Sequence, residues 1–184
     1  ADPETGIMYI FSKSDVGRMS MSNRPDRSDM DYINLQTRNA PPLRVDGLPL
    51  IKPPYGQIVA LDLNEGEILW DAVHGETPDY IRNHPALAGI DIARTGQAGR
   101  VGLLATKTMV IAGDGGSYTN ADGEQEALLR AYDKLTGEQL GSLPMPAQQT
   151  GSPMTYAING VQYLAVSSSG GDVAGRLRVY SYEP

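Results

Sequence analysis

Apolar positions in this chain come in short alternating runs separated by turns rich in Gly, Asn and Asp, the signature of strands rather than helices. Two of these runs are versions of one another. Ala60-Leu-Asp-Leu-Asn-Glu-Gly-Glu-Ile-Leu-Trp70 returns 71 positions later as Ala131-Tyr-Asp-Lys-Leu-Thr-Gly-Glu-Gln-Leu-Gly141, with Ala, Asp, Gly, Glu and Leu kept in register. Each copy predicts a β-hairpin, an apolar run, a polar turn centred on Gly66 or Gly137 and a second short run. A single repeat cannot bury its own apolar face, so the repetition implies stacked units.

The rest of the pattern fits around these hairpins. Residues 7–12 read as a buried strand after the turn Asp2-Pro-Glu-Thr-Gly6. Residues 13–54 then break the pattern: they are polar, carry both signs of charge and hold no sustained period, which suits either a functional loop or a solvated insertion. Strands are expected at 56–63 and 67–73, followed by a long connection over 74–100, and again at 102–106, 108–113 and across the hairpin 127–143. The last unit holds 152–157, a turn at Asn159-Gly160, 161–167, a loop over 168–175 and a final strand over 176–182. Only 123–132 could pass as helical, and the repeat overrides it.

Laid over one another, the units share four strand slots, the arrangement of a β-propeller blade. The chain then divides into a partial blade at 1–73 with the insertion 13–54, a blade at 74–145, and a last blade at 146–184 that lacks its fourth strand. The expected fold is all-β: about two and a half four-stranded antiparallel blades, an incomplete ring, because propellers close with roughly four to eight. The missing blades would come from the remainder of a larger propeller or from a complementary subunit. Turns at 64–66, 135–137 and 159–160 fall at one end of the blades, and the long segments 13–55, 74–100, 113–126 and 167–175 at the other.

Composition narrows the functional classes. With 184 residues of which 40% are hydrophobic, the chain can build a core, and 21 Gly and 13 Pro suit many tight turns. A net charge of −7, with the basic residues scattered, argues against nucleic-acid and anionic-membrane binding. No run approaches the ~18 apolar residues of a membrane helix. The N-terminus lacks the basic and apolar regions of a signal peptide, so a soluble, mature or truncated chain is expected. Zero Cys and two His exclude disulfides, a cysteine nucleophile and a multi-histidine metal site. The segment 120–126 has the flavour of a calcium loop but lacks the alternating acidic ligands, so no metal ligand is assigned in this chain.

The hairpin motif Ala-x-Asp-x-x-Thr-Gly-Glu-x-x-Trp resembles the tryptophan-docking motif of quinoprotein dehydrogenases, eight-bladed propellers that use pyrroloquinoline quinone (PQQ). Lys52-Pro-Pro-Tyr-Gly56, Ile81-Arg-Asn-His-Pro-Ala-Leu87, Thr106-Lys-Thr108 and Gly151-Ser-Pro-Met-Thr-Tyr156 with Gln162-Tyr163 resemble the C-terminal part of the glucose-dehydrogenase-like branch. The resemblance covers nearly the whole chain, most specifically 52–182. It implies that Trp70 packs between adjacent blades, and that Gly141, standing where a second Trp is expected, weakens the next inter-blade contact.

The same resemblance implies a cofactor face. Gly170-Gly171-Asp172 matches a turn that approaches the PQQ rings, where absent side chains let the backbone come close, although relatives often carry Trp at the position of Asp172. Arg100 falls beside PQQ and could pair with a carboxylate of the cofactor. Ser14, next to Lys13, occupies a slot often filled by a cofactor-contacting Asn. His84 could orient substrate or move a proton, or could simply bond to nearby backbone. The catalytic carboxylate, the Ca2+ ligands and the cation that polarises the quinone belong to upstream blades in the family, so no catalytic residue is assigned here and the chain alone should be inactive. A periplasmic PQQ-dependent sugar or alcohol dehydrogenase, passing electrons to a quinone or cytochrome, is the implied whole, possible membrane association coming only through parts outside this chain. A non-catalytic PQQ-like propeller serving as an assembly scaffold is the alternative.

Overall fold

The computed structural model describes residues 1–17, 20–35 and 43–181; the sequence expectation for the end of the last strand, at Tyr182, lies outside them. Two compact units result, Ala1–Ser14 with Pro53–Pro184, and Asp15–Lys52. The elements in chain order are β1 (Ile7–Lys13), β2 (Ser20–Ser22), β3 (Ile33–Leu35), β4 (Arg44–Val45), β5 (Leu48–Pro49), β6 (Gly56–Asp62), β7 (Glu67–Val73), α1 (Asp79–Arg82), a 3-10 turn at Pro85–Leu87, β8 (Leu104–Ala105), β9 (Met109–Gly113), β10 (Tyr118–Thr119), β11 (Gln125–Asp133), β12 (Gln139–Met145), β13 (Met154–Ile158), β14 (Val161–Gly170) and β15 (Val173–Ser181). The smaller unit holds two short ladders, β2 with β3 and β4 with β5.

The larger unit is three antiparallel sheets. β1-β6-β7 forms the first, β8-β9-β11-β12 the second and β13-β14-β15 the third, with β10 continuing along β11 beyond the end of β9. Among the described residues the sheets do not close into a ring, and the fold is that of a partial propeller.

Period-2 alternation explains why the middle sheet is buried on both sides. Val110, Ala112 and Tyr132 pack on Ile7, Tyr9, Ile58 and Ala60 of the first sheet. Ile111 on β9 and Leu129 on β11, at odd offsets from them, point the other way and pack with Ala127, Met145 and Val166 toward the third. Because both faces are covered, β9 reads as the nearly continuous apolar run Met-Val-Ile-Ala-Gly.

The sequence repeat is reproduced atom by atom. Both copies carry a β-bulge after the shared alanine, between Ala60 and Leu61 and between Ala131 and Tyr132. In the first turn Asp62 Oδ1 accepts the N–H groups of Asn64 and Glu65 at 2.8 and 3.3 Å; in the second Asp133 Oδ1 accepts those of Leu135 and Thr136, both at 2.9 Å. Those bonds favour the ionised carboxylate and hold Asp133 below the usual carboxylate range. Each turn closes on a glycine at φ +74°, Gly66 or Gly137, donating to the carbonyl of its aspartate.

The Trp70 indole leaves the first sheet and lies over Gly137 of the second. A Cβ on that glycine would come within 2.5 Å of the ring. Indole Nε1 donates to Lys134 O at 3.2 Å, a carbonyl that also accepts the Tyr9 hydroxyl at 3.2 Å. Around Gly141, where the second copy has no indole, a Cβ would meet nothing within 4 Å. A cleft of about 540 Å3, walled by Ile111, Leu143, Leu164 and Tyr180 among others, stands between the second and third sheets.

Asn159 and Gly160 both adopt positive φ, 52° and 81°, giving the two-residue turn between β13 and β14 that Asn-Gly predicts. Residues 168–175, in contrast, are not a loop: β14 and β15 pair up to Gly170 opposite Val173, leaving only Gly171 and Asp172 as the turn.

Candidate functional site

Strand ends opposite the Gly66 and Gly137 turns are laced together through the backbone. His74 N donates to Gly56 O at 2.9 Å and Gln97 N to His74 O at 3.0 Å, while Tyr55 N donates to Thr95 O at 2.8 Å and Ser14 N to Tyr55 O at 3.1 Å. Further along, Gly99 lies against Gly115 so closely that a Cβ on Gly99 would sit 2.5 Å from its neighbour's Cα. The Gln97 amide reaches over to donate to Ser117 O at 3.2 Å.

Four of the six residues singled out from sequence lie about one segment, 148–152. Arg100 is exposed and makes no ion pair or hydrogen bond among the described residues; two positions on, Gly102 packs on Ser152 and its carbonyl accepts the Gln149 amide at 2.8 Å. From the other side, Gly170 packs on the Gln148 side chain, and Ser169 N donates to Gln148 O at 3.1 Å. Gly171 takes φ +56° at the tip of its turn, with nothing within 4 Å of where a Cβ would be, and Asp172 beside it is exposed.

The other two are anchored elsewhere. Ser14 is half-buried at the end of β1 and held by Tyr55. His84 caps the 3-10 turn, its Nδ1 accepting the Ala86 N–H at 3.2 Å. The α1 turn before it is moored to β10 by Asp79, which accepts the Thr119 hydroxyl at 2.6 Å and its N–H at 3.0 Å, and by Arg82 over the Tyr118 ring.

Sequence reasoning passed over a buried polar cluster beneath these loops. Arg130, 2% exposed, donates through Nε and Nη2 to the fully buried Asp114 at 2.7 and 3.1 Å, and through Nη2 to Glu76 at 2.9 Å. Arg94 and Gln139 complete it, with Gln139 Oε1 accepting from both arginines. Burial pulls the Arg130 pKa down, but the Asp114 carboxylate outweighs it and the guanidinium is held charged. The signal was present: Arg130 interrupts the apolar run Leu128-Leu-Arg-Ala-Tyr132 on the face shared with Tyr132.

His74 lies next to this cluster, fully buried. Its Nε2 is 3.0 Å from Gly113 O, which can only accept, so Nε2 carries the proton and Nδ1 accepts from the Tyr132 hydroxyl at 2.8 Å. Burial pushes the imidazole down to about 4, leaving it neutral. The arrangement is one of packing and positioning, since both ring nitrogens are already used.

A planar polycarboxylate such as PQQ would meet at the 148–152 segment an exposed guanidinium and a glycine turn with an open face. Two buried polar atoms lie nearby in sequence without hydrogen-bond partners, Ser168 Oγ and Gln97 Oε1. The Asp172 carboxylate is the one unfavourable neighbour. These residues fit one edge of such a ligand. Among the described residues no group of three or more His, Asp or Glu is arranged to hold a metal ion.

A family model described as the β-propeller domain of glucose/ethanol/alcohol dehydrogenases (PQQ) matches residues 2–164. Similar curated proteins include the quinoprotein glucose dehydrogenase of Escherichia coli (strain K12), 32% identical over 126 residues, and quinoprotein glucose dehydrogenase A of Acinetobacter calcoaceticus, 28% identical over 124. The glycerol dehydrogenase large subunit of Gluconobacter thailandicus is 31% identical over 125 residues. Each match covers 67% of this chain but only 14 to 16% of the relative.

Proposed function

Because this chain belongs to the glucose/ethanol/alcohol dehydrogenase β-propeller family, we propose that it is a segment of a PQQ-dependent sugar or alcohol dehydrogenase and forms one wall of its cofactor and substrate face. The observation that carries the reading is the pairing, about one short segment, of an unpartnered exposed Arg100 with the open Gly171 turn. Arg100 pairs with a carboxylate of the cofactor, and the missing side chain at Gly171 admits a flat ring. Bound there, PQQ supplies the two-electron acceptor for alcohol oxidation. Ser14 is a further cofactor contact, His84 lies on the substrate face, and Asp172 takes the place where relatives often have Trp. The base, the Ca2+ ligands and the remaining blades lie outside this chain, and a quinone or cytochrome in the periplasm receives the electrons. The unfavourable Asp172 carboxylate is what would suit the alternative, a PQQ-like scaffold without cofactor.

Titration of the complete polypeptide with PQQ and Ca2+, followed by quinone absorbance, tests this. Saturable binding is expected, weakened about tenfold or more by Arg100→Gln, the cost of one charge-assisted hydrogen bond. Arg100 has no partner to lose in the fold, so the variant stays folded. An absence of binding by the complete polypeptide overturns the reading in favour of the scaffold.

A further inference from the structure

We infer that Gln149 is the positioning residue that fixes Arg100 relative to the Gly171 turn. The inference rests on the proposed PQQ wall and adds to it the device that sets its spacing. Gln149 is 3% exposed, and both ends of its side-chain amide are hydrogen-bonded. Its backbone N donates to Asp114 O at 2.9 Å, and it bridges to Ser168 on β14. Oε1 accepts the Gly113 N–H at 2.5 Å, and Nε2 donates to Gly102 O at 2.8 Å. The side chain therefore joins the end of β9 to the connection that carries Arg100, while the backbone on either side of Gln149 pairs with the strand that leads to Gly170, through Thr150 N to Ser167 O and Ser169 N to Gln148 O.

Shape reinforces the chemistry. A Cβ on Gly113 would lie 2.7 Å from Gln149 Oε1 and 2.9 Å from its Cβ, so a glycine is required for the amide to reach the strand end. The amide is also polarised in one sense only, accepting from Gly113 and donating to Gly102. An ionised carboxylate of the same size, kept so by measuring at a pH above its burial-raised titration, keeps the first bond and turns the second into a contact between two acceptors. Gln149→Glu thus releases the Gly102 carbonyl, and Arg100 two residues before it, while the β9 anchor stays.

The test is a double-mutant cycle on PQQ affinity in the complete polypeptide, read by quinone absorbance, with Gln149→Glu, Arg100→Gln and the pair. Gln149→Glu should weaken binding about tenfold in the parent protein and less than about twofold once Arg100 is gone, because its effect passes through that guanidinium. A general loosening of the fold would lower affinity equally in both backgrounds, and that result overturns the inference. So does unchanged affinity in Gln149→Glu. If the parent protein itself binds no PQQ, the cofactor reading has failed first, and with it this one. Should the Glu variant not fold, Gln149→Met, which keeps the length without a charge, is carried through the same cycle.

Discussion

Two glycines at equivalent turns make an internal control for the docking of Trp70. Gly66 and Gly137 share φ +74°, so a methyl group at either pays the same conformational cost, about 1–2 kcal/mol for a non-glycine residue held left-handed. At Gly66 that is all, since nothing lies within 4 Å of the new Cβ. At Gly137 the methyl would sit 2.5 Å from Cε3 and 2.7 Å from Cδ2 of Trp70. The ring cannot retreat freely: its Nε1 is tied to Lys134 O, and Tyr9 stands 5.8 Å away on the same side of the core. Forcing extra volume into a packed contact adds about 1–3 kcal/mol. Gly137→Ala should therefore lower unfolding stability in urea by about 2–5 kcal/mol, and Gly66→Ala by only the conformational part. With Trp70→Leu as background, the difference between the two substitutions should vanish. Equal losses in the parent protein, or a difference that survives removal of the indole, would refute the docking argument.

Further outcomes follow from the buried polar groups. His74 is neutral in the fold, at about 4, against an ordinary value near 6.5, so the unfolded chain takes up a proton first as pH falls. Stability is then complete above pH ~6.5 and declines toward pH ~4 by about 3 kcal/mol; urea midpoints measured across that window should show the slope, and His74→Phe should flatten it. Asp114→Asn leaves the Arg130 guanidinium buried with Glu76 as its remaining carboxylate partner, at a cost of about 3 kcal/mol or more. A loss below about 1 kcal/mol in equilibrium unfolding would show that the pair contributes little there.

Local chemistry made the hairpins legible. Alternation and a two-residue turn are encoded within a dozen positions, so β6-β7, β11-β12 and the Asn159-Gly160 turn are legible in the sequence alone. What escaped was structure held by backbone alone. Ser167 and Ser168 on β14 pair with β15 without any apolar alternation, Ser169 falls at a register shift, and β10 is two residues long. The Asn120 segment, with its calcium-loop flavour, folds instead as a turn in which Asn120 Oδ1 accepts the N–H groups of Asp122 and Glu124 at 3.0 and 2.9 Å. For the candidate site, sequence supplied Arg100 and the Gly171 turn but not Gln149, whose importance comes from three segments that meet only in space.

The distribution of exposed apolar residues bears on whether three sheets are the whole array. Repeat arrays end in caps with polar outer faces, because a terminal repeat has a neighbour on one side only. Here the middle sheet is covered twice, yet Ile68 and Leu69 on β7 and Met154, Ile158, Leu177 and Val179 on β13 and β15 stay exposed, Leu177 at 70%. A sheet that carries apolar side chains on an uncovered face is built for another sheet. Gly141 sharpens the point: the contact that Trp70 makes between the first and second sheets has no counterpart between the second and third, where a cleft remains. The third sheet packs on the second through Ile111, Leu129, Met145 and Val166, and its placement beside the Arg100 segment depends also on the polar clasp of Gln149. That dependence links the stability of the array to the geometry of the proposed cofactor wall.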